Sequence, residues 1–176
     1  PVRDRRGGPD QAGYEWRDND ERDGPDYAWI PRDAFQNVTN IQFGDDSNAG
    51  PFNLGFNFPF YGNNFNTIRM CSNGWASFTS ASTQYTVPAG ALPNANFPEN
   101  LLSIALSDWY PPAGGTYWFA SNGEVAVCAW EGLPHISNQN VRWTMQIQLY
   151  PNGKILFMYH PNNADQQVPT QVMIGI

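Results

Sequence analysis

Apolar and polar residues alternate along much of this chain with a period of two, the spacing of a strand that buries one face. Phe52, Leu54, Phe56 and Phe58 fall on one side, and Asn53, Gly55 and Asn57 on the other. Between residues 141 and 150, Val141, Trp143, Met145, Ile147 and Leu149 alternate with Arg142, Thr144, Gln146 and Gln148. Pro151-Asn152-Gly153 then turns the chain into Ile155, Phe157 and Tyr159, a hairpin with the Asn-Gly turn that antiparallel strands favour. Asn122-Gly123 links residues 116–120 to 124–130 in the same way, and Asn73-Gly74 links 67–71 to 75–79. Further strands are expected at 27–30, 34–43, 101–107 and 170–176. About ten short strands without an amphipathic helix or an internal repeat predict an all-β fold, an antiparallel β-sandwich that is jelly-roll or Greek-key like. Residues 26–176 make up that domain. Residues 1–25, polar and rich in Gly and Pro, read as a polar N-terminal arm or ordered loop.

Composition narrows the class. The chain has 176 residues, room for one substantial core, and its 16 Gly and 15 Pro interrupt it too often for long helices. A net charge of −7 argues against nucleic acid or an anionic membrane as the main partner. No apolar run approaches the roughly 20 residues of a membrane span. Eleven of the 16 acidic residues and six of the nine basic ones precede Ser47, which leaves eight charges for the rest of the chain. So uncharged a body suits a domain covered by other protein or working in an extracellular medium, with an ordinary Asn-rich secreted domain as the plainer alternative. The N-terminal Pro1-Val-Arg-Asp4 shows neither an initiator Met nor a signal-peptide core, so a processed piece of a larger protein is expected.

Several motifs, in order, carry a resemblance. Leu54-Gly-Phe-Asn-Phe-Pro-Phe-Tyr-Gly62, Ile68-Arg-Met-Cys-Ser-Asn-Gly-Trp-Ala-Ser-Phe78, the apolar run 102–109 and Gln148-Leu-Tyr-Pro-Asn-Gly-Lys-Ile155 resemble successive segments of the nidogen-like extracellular β domain. Gly13-Tyr-Glu-Trp-Arg-Asp-Asn-Asp-Glu21 and Gly24-Pro-Asp-Tyr-Ala-Trp-Ile30 resemble a leader that precedes such domains in large secreted, surface-sorted bacterial proteins. The resemblance implies an extracellular or cell-surface module for adhesion or assembly, without catalysis of its own. The chain departs from the family at Ser107-Asp108-Trp109-Tyr110, where one Asp stands in place of an acidic pair.

Candidate chemistry is sparse. Cys71 and Cys128 are the only cysteines; in an extracellular setting they form either one disulfide or two small buried thiols. A catalytic Cys71 served by His135 or His160 lacks any activating motif. Asp18, Asp20 and Asp23 with Glu21, and separately Asp45 and Asp46, concentrate carboxylates in loops and are candidate calcium ligands, although neither has EF-hand spacing. Arg17 and Arg22 offer the first cluster a competing fate as ion pairs. Trp109, Tyr110 and Trp118, around a Pro-Pro-Ala-Gly-Gly loop, form a candidate glycan platform, with core packing as the rival use of the same rings. The five acids after Asp46 are too dispersed in sequence to suggest a glycosidase pair. Asn37-Val38-Thr39 fits an N-glycosylation acceptor.

Val172, Ile174 and Ile176 extend a strand pattern to the last residue, so this segment either completes its own sheet or pairs with a neighbouring subunit. The expected role is that of a non-catalytic structural or adhesive module. Its partners would be other proteins, at the cell surface or as copies of itself in an extracellular fibre. A carbohydrate-binding or accessory module of a larger secreted enzyme is the alternative.

Overall fold

The structure, a computed structural model, describes residues 5–176. Two five-stranded antiparallel sheets pack face to face. The first has the order β11-β10-β9-β8-β3, built from β3 (Val38–Ile41), β8 (Thr116–Ser121), β9 (Ala126–His135), β10 (Asn138–Leu149) and β11 (Ile155–Tyr159). The second has the order β12-β7-β6-β5-β4, built from β4 (Asn48–Phe60), β5 (Asn63–Cys71), β6 (Trp75–Ser77), β7 (Leu101–Leu106) and β12 (Met173–Gly175). Each sheet is thus a four-strand meander joined by one strand from across the sandwich. Three of the hairpins turn where Asn-Gly stands in the sequence, at 73–74, 122–123 and 152–153.

The core forms where the inward faces of the two sheets meet. Leu54, Phe58, Ile68, Met70, Leu102 and Ile104 of the second sheet pack there with Phe119, Cys128, Trp130, Met145 and Ile147 of the first. On β10 the alternation holds throughout, with Val141, Trp143, Met145, Ile147 and Leu149 all buried inward. On β4 it is less regular. Leu54 and Phe58 are fully buried and Phe52 and Phe56 only partly, because register shifts against β5 break the strand's pleat.

Both outer faces are also covered, which the alternation does not show. Residues 27–30, expected as a strand, instead lie extended over the first sheet and bond to side chains. The Ile30 N–H donates to Gln146 Oε1 at 3.1 Å, Gln146 Nε2 donates to Ile30 O at 3.0 Å, and Gln148 Nε2 donates to Ala28 O at 2.7 Å. Gln146 and Gln148 therefore sit on the outer face yet are wholly buried. Phe35 and Ile30 close a small outer cluster over Trp118, Val127 and Ala129. The expected strand 34–43 shrinks to β3, preceded by a single 3₁₀ turn at Arg32–Ala34. On the second sheet the long connection between β6 and β7 brings Phe97, Val87 and Leu92 over Cys71, Trp75 and Leu106.

Much of the N-terminal arm is ordered as a small hairpin, β1 (Arg6–Gly7) with β2 (Trp16–Arg17); its first four residues lie outside the described ones. The last strand pairs with β7, so Val172 and Ile176 pack against the chain's own core, while Ile174 stays 51% exposed.

Candidate functional site

The acids that converge belong to two loops, one before β4 and one after β7. Asp45, Asp46 and Asp108 each place a carboxylate oxygen within 4.8 Å of the others, the only such group of three among the described residues. The turn Ser72-Asn73-Gly74 between β5 and β6 holds both loops. Ser72 and Ser47 exchange bonds, the Ser72 N–H to Ser47 O and the Ser47 N–H to Ser72 Oγ, each at 2.8 Å. The fully buried Asn73 spends its whole amide on the same task. Its Nδ2 donates to Asp46 Oδ1 at 2.8 Å and to Thr83 O at 3.3 Å, while its Oδ1 accepts from the Trp109 N–H at 3.0 Å. Gly74 has φ +74°, and a Cβ there would collide with Ala105 O, so a side chain is excluded on two grounds. The Asn-Gly dipeptide was legible as a turn; its role as a clamp between two acidic loops was not.

Asp108 is half-buried, and its carboxyl is pushed up from the ordinary value by desolvation first and then by the charges of Asp46 and Asp45. Such a trio can offer hard oxygen ligands to a divalent cation. The other acidic cluster is committed differently. Asp20 pairs with Arg5, which also lies 4.0 Å from Asp18, and Asp23 pairs with Arg17. These carboxylates face guanidinium groups within the arm rather than one another.

Ser107 and His135 meet beside the same loop, with Ser107 Oγ 3.2 Å from His135 Nε2. Ser107 Oγ donates to Gln171 O at 2.7 Å, which turns its hydroxyl hydrogen away from the imidazole, and His135 Nδ1 lies 2.8 Å from Ser137 Oγ. A nucleophilic serine needs the reverse, its hydroxyl hydrogen aimed at the imidazole. Desolvation lowers the His135 pKa and favours the neutral ring. The dyad therefore ties β9, the loop after β7 and the C-terminal segment together.

The family model described as NIDO related matches residues 25–176. The chain belongs to the NIDO-related family. No curated protein and no solved structure matches it. Nidogen-like domains are typically extracellular, and among the described residues no helix is long and apolar enough to cross a membrane. Within the NIDO-related domain the Ser72-Asn73-Gly74 clamp lies on one of the motifs that carried the resemblance.

The arm precedes the matched region and docks on the domain at Tyr61, in the turn between β4 and β5. Tyr61 Oη donates to Asp10 Oδ2 at 2.7 Å, and the Tyr61 N–H donates to Tyr14 Oη at 3.2 Å.

Two sequence expectations need correction in this domain. Cys71 and Cys128 are both free. Their neighbours explain why: Cys71 faces the outer cluster under Phe97 and Trp75, whereas Cys128 faces the core between the sheets, so the two thiols point to opposite sides of the second sheet. Burial pushes the Cys71 thiol up to about 12 and that of Cys128 higher still, which disfavours the thiolate. The glycan platform also fails. Trp109 and Trp118 are both fully buried, the first donating from Nε1 to Ala105 O at 2.8 Å and the second to Glu131 Oε1 at 2.9 Å, and only Tyr110 keeps partial exposure. A ring with no exposed surface has no face left for a sugar.

Proposed function

We propose that this NIDO-related domain is a non-catalytic extracellular module that works through protein–protein contact. It acts as an adhesive part of a surface protein or as the repeating subunit of an extracellular fibre. The observation that carries the reading is the free edge of β12. Val172, Met173 and Ile176 are spent on the domain's own sheet and clusters, while Ile174, at the register shift of β12, projects into solvent from the edge strand. The opposite edge, β4, is blunted by Pro51 and Pro59, which lack N–H donors, and by its register shifts. An incoming strand from a second copy has its best purchase at β12. The charge-poor body supports the same reading, since few charges would need desolvation in a protein contact. Support for the absence of catalysis comes from the orientation of Ser107 and from the raised thiol pKa values.

Light scattering across a concentration series tests the proposal. The full chain is expected to self-associate, and Ile174→Lys to remain folded but monomeric. A wild-type chain that stays monomeric at every concentration, or association unaffected by Ile174→Lys, overturns it.

A further inference from the structure

On the outer face of the first sheet, Trp29, Arg32, Asp33, Phe35, Gln36 and Glu131 line a groove of about 670 Å³ that is open to solvent. Its size is that of a small-ligand site. None of these residues belongs to the aromatic loop first considered for sugars, and Trp29, Glu131 and Arg32 are held in place by contacts outside the groove. The backbone on either side of Trp29 is pinned by the Gln146 and Gln148 amides, and the half-buried indole meets the His160 ring edge-on at 5.3 Å. Glu131 accepts from buried Trp118 through Oε1 at 2.9 Å, and its second oxygen has no hydrogen-bond partner among the described residues. Arg32 is braced by one contact, from its Nη2 to Asn40 Oδ1 at 2.6 Å, and its remaining donors have no other partner among the described residues.

We propose that this groove binds a neutral oligosaccharide. The ligand class follows from the chemistry of the lining. A part-exposed indole offers an apolar plate to the C–H face of a pyranose ring. Around it stand the Arg32 guanidinium, the Asp33 carboxylate and the Gln36 amide, planar groups with two hydrogen-bonding atoms side by side that match neighbouring hydroxyls, and the second oxygen of Glu131. Arg32 set against Asp33 and Glu131 gives the rim both signs, which suits a ligand that donates and accepts without net charge better than it suits a phosphate or an ammonium ion. The pinned backbone lowers the ordering cost of binding. This inference is independent of the β12 contact, so either can fail without the other.

Isothermal titration of the full chain with neutral hexasaccharides of glucose, mannose and N-acetylglucosamine tests it. At least one is expected to bind, with Trp29→Ala and Arg32→Ala each weakening it about tenfold or more. Trp16→Ala, in the exposed arm, is expected to leave binding unchanged. Arg32 is exposed, so its variant keeps the test decisive should Trp29→Ala fail to fold. Three results overturn the proposal: no binding of any probe, binding that survives the Arg32 and Trp29 substitutions, or tighter binding of a sulfated sugar than of its neutral parent.

Discussion

The ring of Tyr14 stacks on that of Tyr61 with centroids 4.6 Å apart and planes 29° from parallel, and this pair is the main bond between the N-terminal arm and the sandwich. Tyr14 also packs edge-on against Phe60 at 5.8 Å, and its hydroxyl meets Pro59 O at 3.5 Å. The arm's ion pairs, by contrast, are internal: Arg5 with Asp18 and Asp20, Arg17 with Glu15 and Asp23. Among the described residues the arm is a small hairpin held to the sandwich by this aromatic stack and by the hydrogen bond from Tyr61 Oη to Asp10.

Removing the stack should free the arm without unfolding the domain. Tyr14→Ala is expected to cost about 0.5–1.5 kcal/mol of docking energy, the worth of an aromatic pair. Trypsin would then cut at Arg6, Arg17 or Arg22 faster than in the wild type, while thermal unfolding of the sandwich changes little. Equal cutting rates in the two proteins would show that the stack does not hold the arm.

Asp108 should make the protein less stable at neutral pH than it could be. Its folded carboxyl holds a proton more tightly than the ordinary value of 3.8. Between that value and the raised one, the native state binds more protons than the unfolded chain, so stability falls as pH rises and the whole cost is present at pH 7. Asp108→Asn is expected to stabilise at pH 7 by a few tenths of a kcal/mol, because solvent screens much of the repulsion. That gain should vanish below about pH 3.5. Denaturant titrations at the two pH values check the sign. Calcium added in the same experiment asks whether the three carboxylates also act as ligands, since only a bound ion would raise the wild-type melting temperature and leave that of Asp108→Asn unmoved.

Asn73→Ala strips three hydrogen bonds from a fully buried turn and leaves the Trp109 N–H without its acceptor. A loss of about 2–4 kcal/mol is expected, larger than for any exposed Asn, and it should appear in the midpoint of urea unfolding. Hydrogen exchange should locate the damage in residues 44–47 and 107–109, the loops this side chain joins.

Both thiols should be silent in the native protein. Ellman's reagent is expected to react with Cys71 and Cys128 only after denaturation, and a reductant to leave the melting temperature unchanged, because the two side chains lie on opposite sides of the second sheet. A non-reducing mass showing an intramolecular bridge would contradict this placement.

The strands and their turns were readable because their causes are local. An alternation such as Trp143-Thr144-Met145 needs only neighbouring residues to define a face, and Asn152-Gly153 adopts its turn whatever lies across the sandwich. Residues 27–30 misled for the converse reason: their apolar pattern was correct, but their backbone partners are the side chains of Gln146 and Gln148, about 116 positions further along. The acidic site was half legible. Asp45 and Asp46 stood out as a pair, whereas Asp108 stood out only as one Asp in place of the family's acidic pair, because nothing local signals that Asn73 draws its loop toward them.

The sequence alone determined an all-β sandwich, its hairpins and most of its inward residues, since period-two burial and Asn-Gly turns are properties of a few consecutive residues, and its ordered motifs carried the family resemblance. The tertiary structure decided which outward faces are covered. That choice buried Trp118 and Gln148, parted the two cysteines and assembled the groove at Trp29. Covering an outer face requires a segment distant in the chain to close a long loop, and its gain depends on the surface it meets rather than on its own pattern.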